Sequence, residues 1–210
     1  MKTVKILLVI LLAGLTFQGC ITSLHPLYTS KDLVFDKRLL GTWRSDSPTE
    51  SWTLENLMEK ELLPYKDPKE RKDKEVFKSQ FINKNTYLLT HTDKGEKAEF
   101  LLNLVKLDNN FYIDLYPGPL KEKNELLEDH YLPVHSYAKI RIADNGFELY
   151  YLNADLLDKL LNENRIKIKH ETFDYYKVIT ASTAELQQFV TKFADHKDFF
   201  SAPVKFKKSI

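Results

Sequence analysis

A series of short alternating runs, set close together and joined by polar turns, limits most strongly what this chain can fold into. From Thr86 to Thr92, Tyr87, Leu89 and His91 fall on one face. Asp93-Lys94-Gly95-Glu96 turns the chain into Ala98 to Leu107, and Asp108-Asn109-Asn110 turns it again. Phe111, Ile113 and Leu115 then alternate with Tyr112, Asp114 and Tyr116. His135 to Ile142 sets Ser136, Ala138, Ile140 and Ile142 against His135, Tyr137, Lys139 and Arg141. After Asp144-Asn145-Gly146 the chain returns as Phe147 to Leu152. Side chains on a strand point to opposite faces with period two, so such patterns mark half-buried strands. The Asn-Gly step favours the positive φ that tight hairpins demand. Strands of this length and spacing predict an antiparallel sandwich or barrel.

The flanks extend the pattern. Leu39 to Ser45 and Ser51 to Leu57 read as two strands around Asp46-Ser47-Pro48, with Trp43 on one and Trp52 on the other. Met58 to Glu75 breaks the alternation; its KDPKERKDKE stretch reads as a solvated loop or as a docking surface for a charged partner. Pro117-Gly118-Pro119 ends a strand, and 118–134 is a longer loop. Two helices interrupt the sheet. Asn153 caps one whose apolar stripe is Leu156, Leu157, Leu160 and Leu161. Ser182 and Glu185 form a capping box ahead of Leu186, Phe189, Val190, Phe193 and Ala194. Arg165 to His170 and Asp174 to Thr180 are strand-like, and Pro203 to Lys207 offers a last short strand. No internal repeat is present, and residues 39–210 read as a single β-barrel domain.

The N-terminus carries a different signal. Lys2 and Lys5 precede the uncharged run Ile6 to Leu15. A bilayer-spanning helix needs roughly 20 apolar residues, so this run has signal-peptide length instead. Phe17-Gln18-Gly19-Cys20 then resembles a lipobox. Gly19 is the small residue that lets a lipoprotein signal peptidase cut before the cysteine. Phe17 stands where Leu is usual, and Gln18 where Ala or Ser is usual. Cys20 is the only cysteine, and an exported thiol with no disulfide partner needs a reason; acylation supplies one. The resemblance implies a signal peptide over 1–19 and a stable membrane anchor of several acyl chains on Cys20. Residues 20–38 read as the lipidated N-terminus and a tether, since His25-Pro26 and the polar TSKD stretch argue against regular structure. By resemblance to lipoprotein sorting, Ile21 in place of aspartate and the absence of an acidic cluster imply the outer membrane, facing the periplasm.

Composition enters here. Lys and Arg number 31 against 30 Asp and Glu, and loss of Lys2 and Lys5 leaves 29. That balance gives no argument for nucleic acid or for a strongly anionic membrane surface. The mature domain must be stable without disulfides, and about 190 residues suffice for one ordinary core.

Leu39-Leu40-Gly41-Thr42-Trp43 resembles the Gly-x-Trp first strand of lipocalins and related calycins. The antiparallel run, the Ser182 helix and the short strand after it follow the same layout. The resemblance implies a mainly β fold: a lipocalin-like up-and-down barrel with two short helices, one near the C-terminus. Ser23 to Trp43 also looks like the start of a group of uncharacterised bacterial lipoproteins. There are departures. Thr172-Phe173-Asp174-Tyr175 interrupts the family's threonine-aspartate-tyrosine motif, and the helix at 154–163 is unusual. No arginine follows Arg165, so the arginine that packs on the first-strand tryptophan in lipocalins is missing unless Arg165 substitutes.

Catalytic signatures are absent: no H-E-x-x-H, G-x-S-x-G, Walker loop or G-x-G-x-x-G occurs. Six glycines leave little room for phosphate-cradling loops, and a domain without cysteine has no thiol chemistry. The expectation is therefore non-enzymatic, with no cofactor and no metal. His91 shares a face with Tyr87 and Leu89, and His170 with Ile166 and Ile168. If those faces point inward, Tyr87, His91 and His170 are candidate ligand contacts; otherwise the histidines are hydrogen-bonded at the core or rim. His130 and His135, near Glu128 and Asp129, lack a convincing third metal ligand. The abundant tyrosines suit either cross-strand packing or an aromatic wall.

Two functions follow. One is a lipid-anchored envelope protein that carries a small hydrophobic ligand inside its barrel. The other is a non-enzymatic envelope protein that binds a partner protein through its outer surface. The barrel interior discriminates: large residues at every inward position leave no cavity.

Overall fold

The computed structural model describes residues 21–60, 84–118, 126, 130–173, 176–196 and 198–209. Gly19 and Cys20 lie outside the described residues, as do 61–83, Glu128, Asp129, Asp174 and Tyr175. Short β1 (Thr22–Ser23) and β2 (Leu33–Val34) precede β3 (Gly41–Arg44) and β4 (Ser51–Asn56). A one-turn helix, α1 (Leu57–Lys60), follows. Next come β5 (Thr86–Asp93), β6 (Glu96–Leu107), β7 (Asn110–Pro117), β8 (His135–Ala143) and β9 (Gly146–Tyr151). Helix α2 (Ala154–Asn162), hairpin strands β10 (His170–Phe173) and β11 (Tyr176–Ile179), helix α3 (Thr183–Lys192) and β12 (Val204–Lys208) complete the order.

Strands β3 to β9 pair each with the next, all antiparallel. β12 then pairs with both β9 and β3 and closes an eight-stranded barrel. This is the expected lipocalin-like up-and-down architecture, with three short helices among the described residues where two were expected. No described helix is long and apolar enough to cross a membrane.

Local chemistry accounts for most turns. Lys94 (φ 50°) and Gly95 (φ 87°) turn β5 into β6, and Asp108 (φ 51°) turns β6 into β7. The β8–β9 hairpin departs from expectation: neither Asn145 nor Gly146 has a positive φ. Gly146 is instead a point of close approach, where a Cβ would collide with the Phe206 carbonyl oxygen of β12. Gly41, the glycine of the Gly-x-Trp stretch, has φ +119°, a conformation open mainly to glycine.

Among the described residues two large cores flank the barrel wall, with a smaller cluster of Leu57, Leu101 and Tyr116 beside them. Inside the barrel, Trp43, Trp52, Leu54, Tyr87, Leu89, Leu102, Leu104, Ile113, Ile140, Phe147, Leu149 and Phe206 are buried together. Outside it, Val105, Leu107, Tyr112 and Tyr137 are covered by Leu157 and Leu160 of α2 and Leu186, Phe189 and Val190 of α3. Burying an apolar side chain of this size contributes roughly 1.5–3 kcal/mol. Both helix caps form as the sequence predicts. The Asn153 side chain accepts from Leu156 N, and Ser182 and Glu185 cap each other's backbone.

Two expectations are corrected. Residues 21–38 are packed body rather than free tether. β1 joins β8 to β11, and β2 continues the β5-side edge of β6 past Thr86. Leu27 and Ser23 are fully buried, and a 3₁₀ turn at Lys37–Leu39 leads into β3. Polar residues in this stretch satisfy its own turns, as where Asp32 accepts from Thr29 N and Oγ1. Arg165 to Lys169 is also not a strand. Arg165 N and Ile166 N donate to Leu160 O, so this backbone finishes α2 before β10 begins.

Candidate functional site

The barrel interior is a packed core. Phe147 stacks on Phe206 at 4.7 Å between centroids, Trp52 lies 4.9 Å from Phe206, and Trp43 meets Phe147 edge-on at 5.1 Å. Eight strands enclose a space just wide enough for side chains to fill or for one small ligand. Four large rings from β3, β4, β9 and β12 fill it here. Lys208 Nζ sits 5.4 Å over the Trp43 ring, where the lipocalin resemblance implied an arginine. Arg165 does not substitute; it is exposed beyond the end of α2 and pairs with Glu163.

The three candidate contacts do not converge. Tyr87 is fully buried and stacks on Phe35 at 4.6 Å. Its hydroxyl accepts from Asp36 N (2.6 Å) and donates to Asp36 O (3.1 Å), which fixes the chain entering β3 across the barrel. Burial pushes that hydroxyl's pKa up, so it stays neutral. His91 lies on the same strand, half-exposed, with Nε2 3.3 Å from Glu50 Oε1 and its ring edge-on to Trp52. Trp52 Nε1 donates to the same Glu50 oxygen. His170 is on β10, outside the barrel, so it does not enter the interior; its Nδ1 is 2.9 Å from Ile168 O.

A buried polar network, missed from sequence, lies on the outer face of β7 and β8. Asp114 has no exposure, and His135 has almost none. His135 Nδ1 is 2.6 Å from Asp114 Oδ1, and Leu27 N donates to Asp114 Oδ2 at 2.7 Å. Asn103 extends the network, accepting from Thr86 Oγ1 and donating to the Tyr28 hydroxyl. Burial pushes the Asp114 carboxyl above its ordinary range, while His135 and the Leu27 N–H pull it back. The Ser23 hydroxyl donates to His25 O, within its own turn. The network therefore knits the N-terminal stretch and β8 to β7. His135 is buried, whereas His130 is exposed with Nδ1 on Leu126 O, so the two form no pair. Signals for this network existed in Asp114 and His135, but only strand register brings them together.

An open cleft lies outside the barrel. It measures about 810 Å³ and runs between α3 and the segment from Asn164 to His170. Its floor is Leu161, Ile166, Ile168, Phe189 and Phe193. Arg165, Lys167, Lys169, His170 and Lys192 stand around it, with Glu185 as the acidic group. Lys169 pairs with Glu185 at 3.0 Å, and Lys192 Nζ lies 5.4 Å over the Phe193 ring. An apolar floor beneath a cationic rim can hold an acidic group while burying hydrocarbon beside it. A second cleft of about 620 Å³ lies at the barrel rim near Phe111, Arg141 and Tyr150.

Comparison with known proteins found no matching family model, no matching curated protein and no matching solved structure.

Proposed function

We propose that this chain is a bacterial lipoprotein, cut after Gly19 and acylated at Cys20. It works in the cell envelope as a non-enzymatic binding protein that uses the outside of its barrel. The site is the cationic cleft beside α3, and the partner presents an acidic, partly apolar segment. One contrast carries this reading: the interior is filled by Trp43, Trp52, Phe147 and Phe206, while the outer cleft is open. The export signal, the lone Cys20 and Ile21 after it support placement at the outer membrane, facing the periplasm.

The test is crosslinking in cells from a photoreactive residue placed at Lys167. One partner chain should be captured, and changing Arg165 and Lys192 to Glu should abolish capture. Equal capture from Met58, which is on α1 and outside the cleft, would sink the proposal. Native mass spectrometry of the mature chain should show a bare protein mass. A reproducible added mass, lost on denaturation, would restore the small-ligand carrier.

A further inference from the structure

Beyond the barrel, β10, β11 and β1 form a three-stranded flap on the β8 edge. Its two faces differ. Ile179, Ser23 and the adjoining His135 are buried on the inner face. Cross-strand register puts Phe173 opposite Tyr176, Glu171 opposite Val178, and Val178 beside Thr22. Those residues and Leu24 make the outer face. Phe173 is 61% exposed, Tyr176 63% and Leu24 38%. Two large rings at the tip of an exposed hairpin are unfavourable in water unless something covers them.

The route of the chain says what covers them. β1 runs parallel to β11 with Thr22 beside Val178, so the chain enters β1 from the end of the flap where Phe173 and Tyr176 lie. There is no slack before it. Ile21 packs against the core under α3, and Thr22 is already in β1. Consecutive Cα atoms are about 3.8 Å apart, so lipid on Cys20 starts about one residue from the folded body. Resting on the reading of Cys20 as acylated, we infer that the outer face of this flap, led by Phe173 and Tyr176, lies on the bilayer interface. Tyr176, an apolar ring with a polar hydroxyl, suits that depth, and Phe173 beside it adds apolar area. Among the described residues Glu171 is the charged group on this face, and Lys177 turns to Asp158 of α2 at 3.0 Å. The fit is therefore to the zwitterionic interface and not to anionic headgroups. His170 and the cleft belong to the opposite face of the flap.

The test uses the full chain, processed in cells, purified in detergent and reconstituted into phosphatidylcholine vesicles with plain or brominated acyl chains. Trp43 and Trp52 are 2% and 4% exposed inside the barrel, so background quenching is small. Phe173→Trp and Tyr176→Trp each add one indole, and brominated vesicles should remove most of the added emission. Met58→Trp, exposed on α1, should keep its emission in both. An acylated chain whose flap indoles are unquenched, or quenched no more than the indole at position 58, overturns the inference alone. A free thiol at Cys20, read by mass, overturns the lipoprotein reading and this inference with it.

Discussion

At Asp114 a carboxyl group is held away from water, and its two hydrogen-bond partners, Leu27 N and His135 Nδ1, come from separate parts of the chain. Such a group is legible in sequence as a type but not as a site. Its environment exists only because α2, α3 and residues 21–28 cover the outer face of β7 and β8. Glu185 is the opposite case, since a capping box is local and three residues of spacing define it. The Ser182 hydroxyl and N–H, with Lys169 nearby, hold the Glu185 carboxyl down to about 2 from an ordinary 4.5. A carboxyl depressed on folding adds stability that is present above its unfolded pKa and lost as pH falls toward the folded one. Glu185→Gln should therefore trail the parent protein in urea unfolding above pH 4.5 and match it near pH 2. The group is exposed, so salt should shrink the gap. A gap that widens on acidification would contradict the cap as its source.

Among the elements, the hairpins were the most legible, because period-two alternation and polar turns are both written locally. The β8–β9 hairpin shows where local reading misassigns a cause. Asn145-Gly146 looks like a turn chosen for positive φ, yet the glycine is needed where β12 crosses it. Gly146→Ala should destabilise by about 1–3 kcal/mol, the usual range for overpacking. Asn145→Ala should stay within about 0.5 kcal/mol, as surface changes usually do. Chemical denaturation of both variants decides the matter; the reverse order would reinstate turn conformation as the cause. Residues 21–38 show the complementary error. Their polar residues look like a tether, yet Leu27 and Leu33 anchor the stretch in a core whose other wall comes from α2 and α3. Arg165 to Ile168 fails for a related reason: its alternating apolar residues pack with those of α3 outside any strand, and pairing with the β11 side begins only at Lys169, whose carbonyl accepts from Thr180 N.

For the molecule as a whole, closure and filling are one event. β12 joins β9 to β3, and its Phe206 lands among Trp52, Phe147 and Trp43. Phe206→Ala should destabilise by about 3–5 kcal/mol in urea unfolding and leave a hole among the remaining rings. Apolar cavities of that kind stay dry and accept small apolar guests. The variant should therefore bind an apolar fluorescent probe that the parent protein ignores. Binding of the probe by the parent would instead reveal an interior chamber. By itself the sequence determined the β class, the hairpins from β3 to β9 and both capped helices, since each is encoded within a few neighbouring residues. Only the tertiary structure decided that the barrel is full, that Asp114 meets His135, and that residues 21–38 are body. Those outcomes depend on which strand faces are covered twice and on side chains meeting across long stretches of chain, and no local periodicity records them.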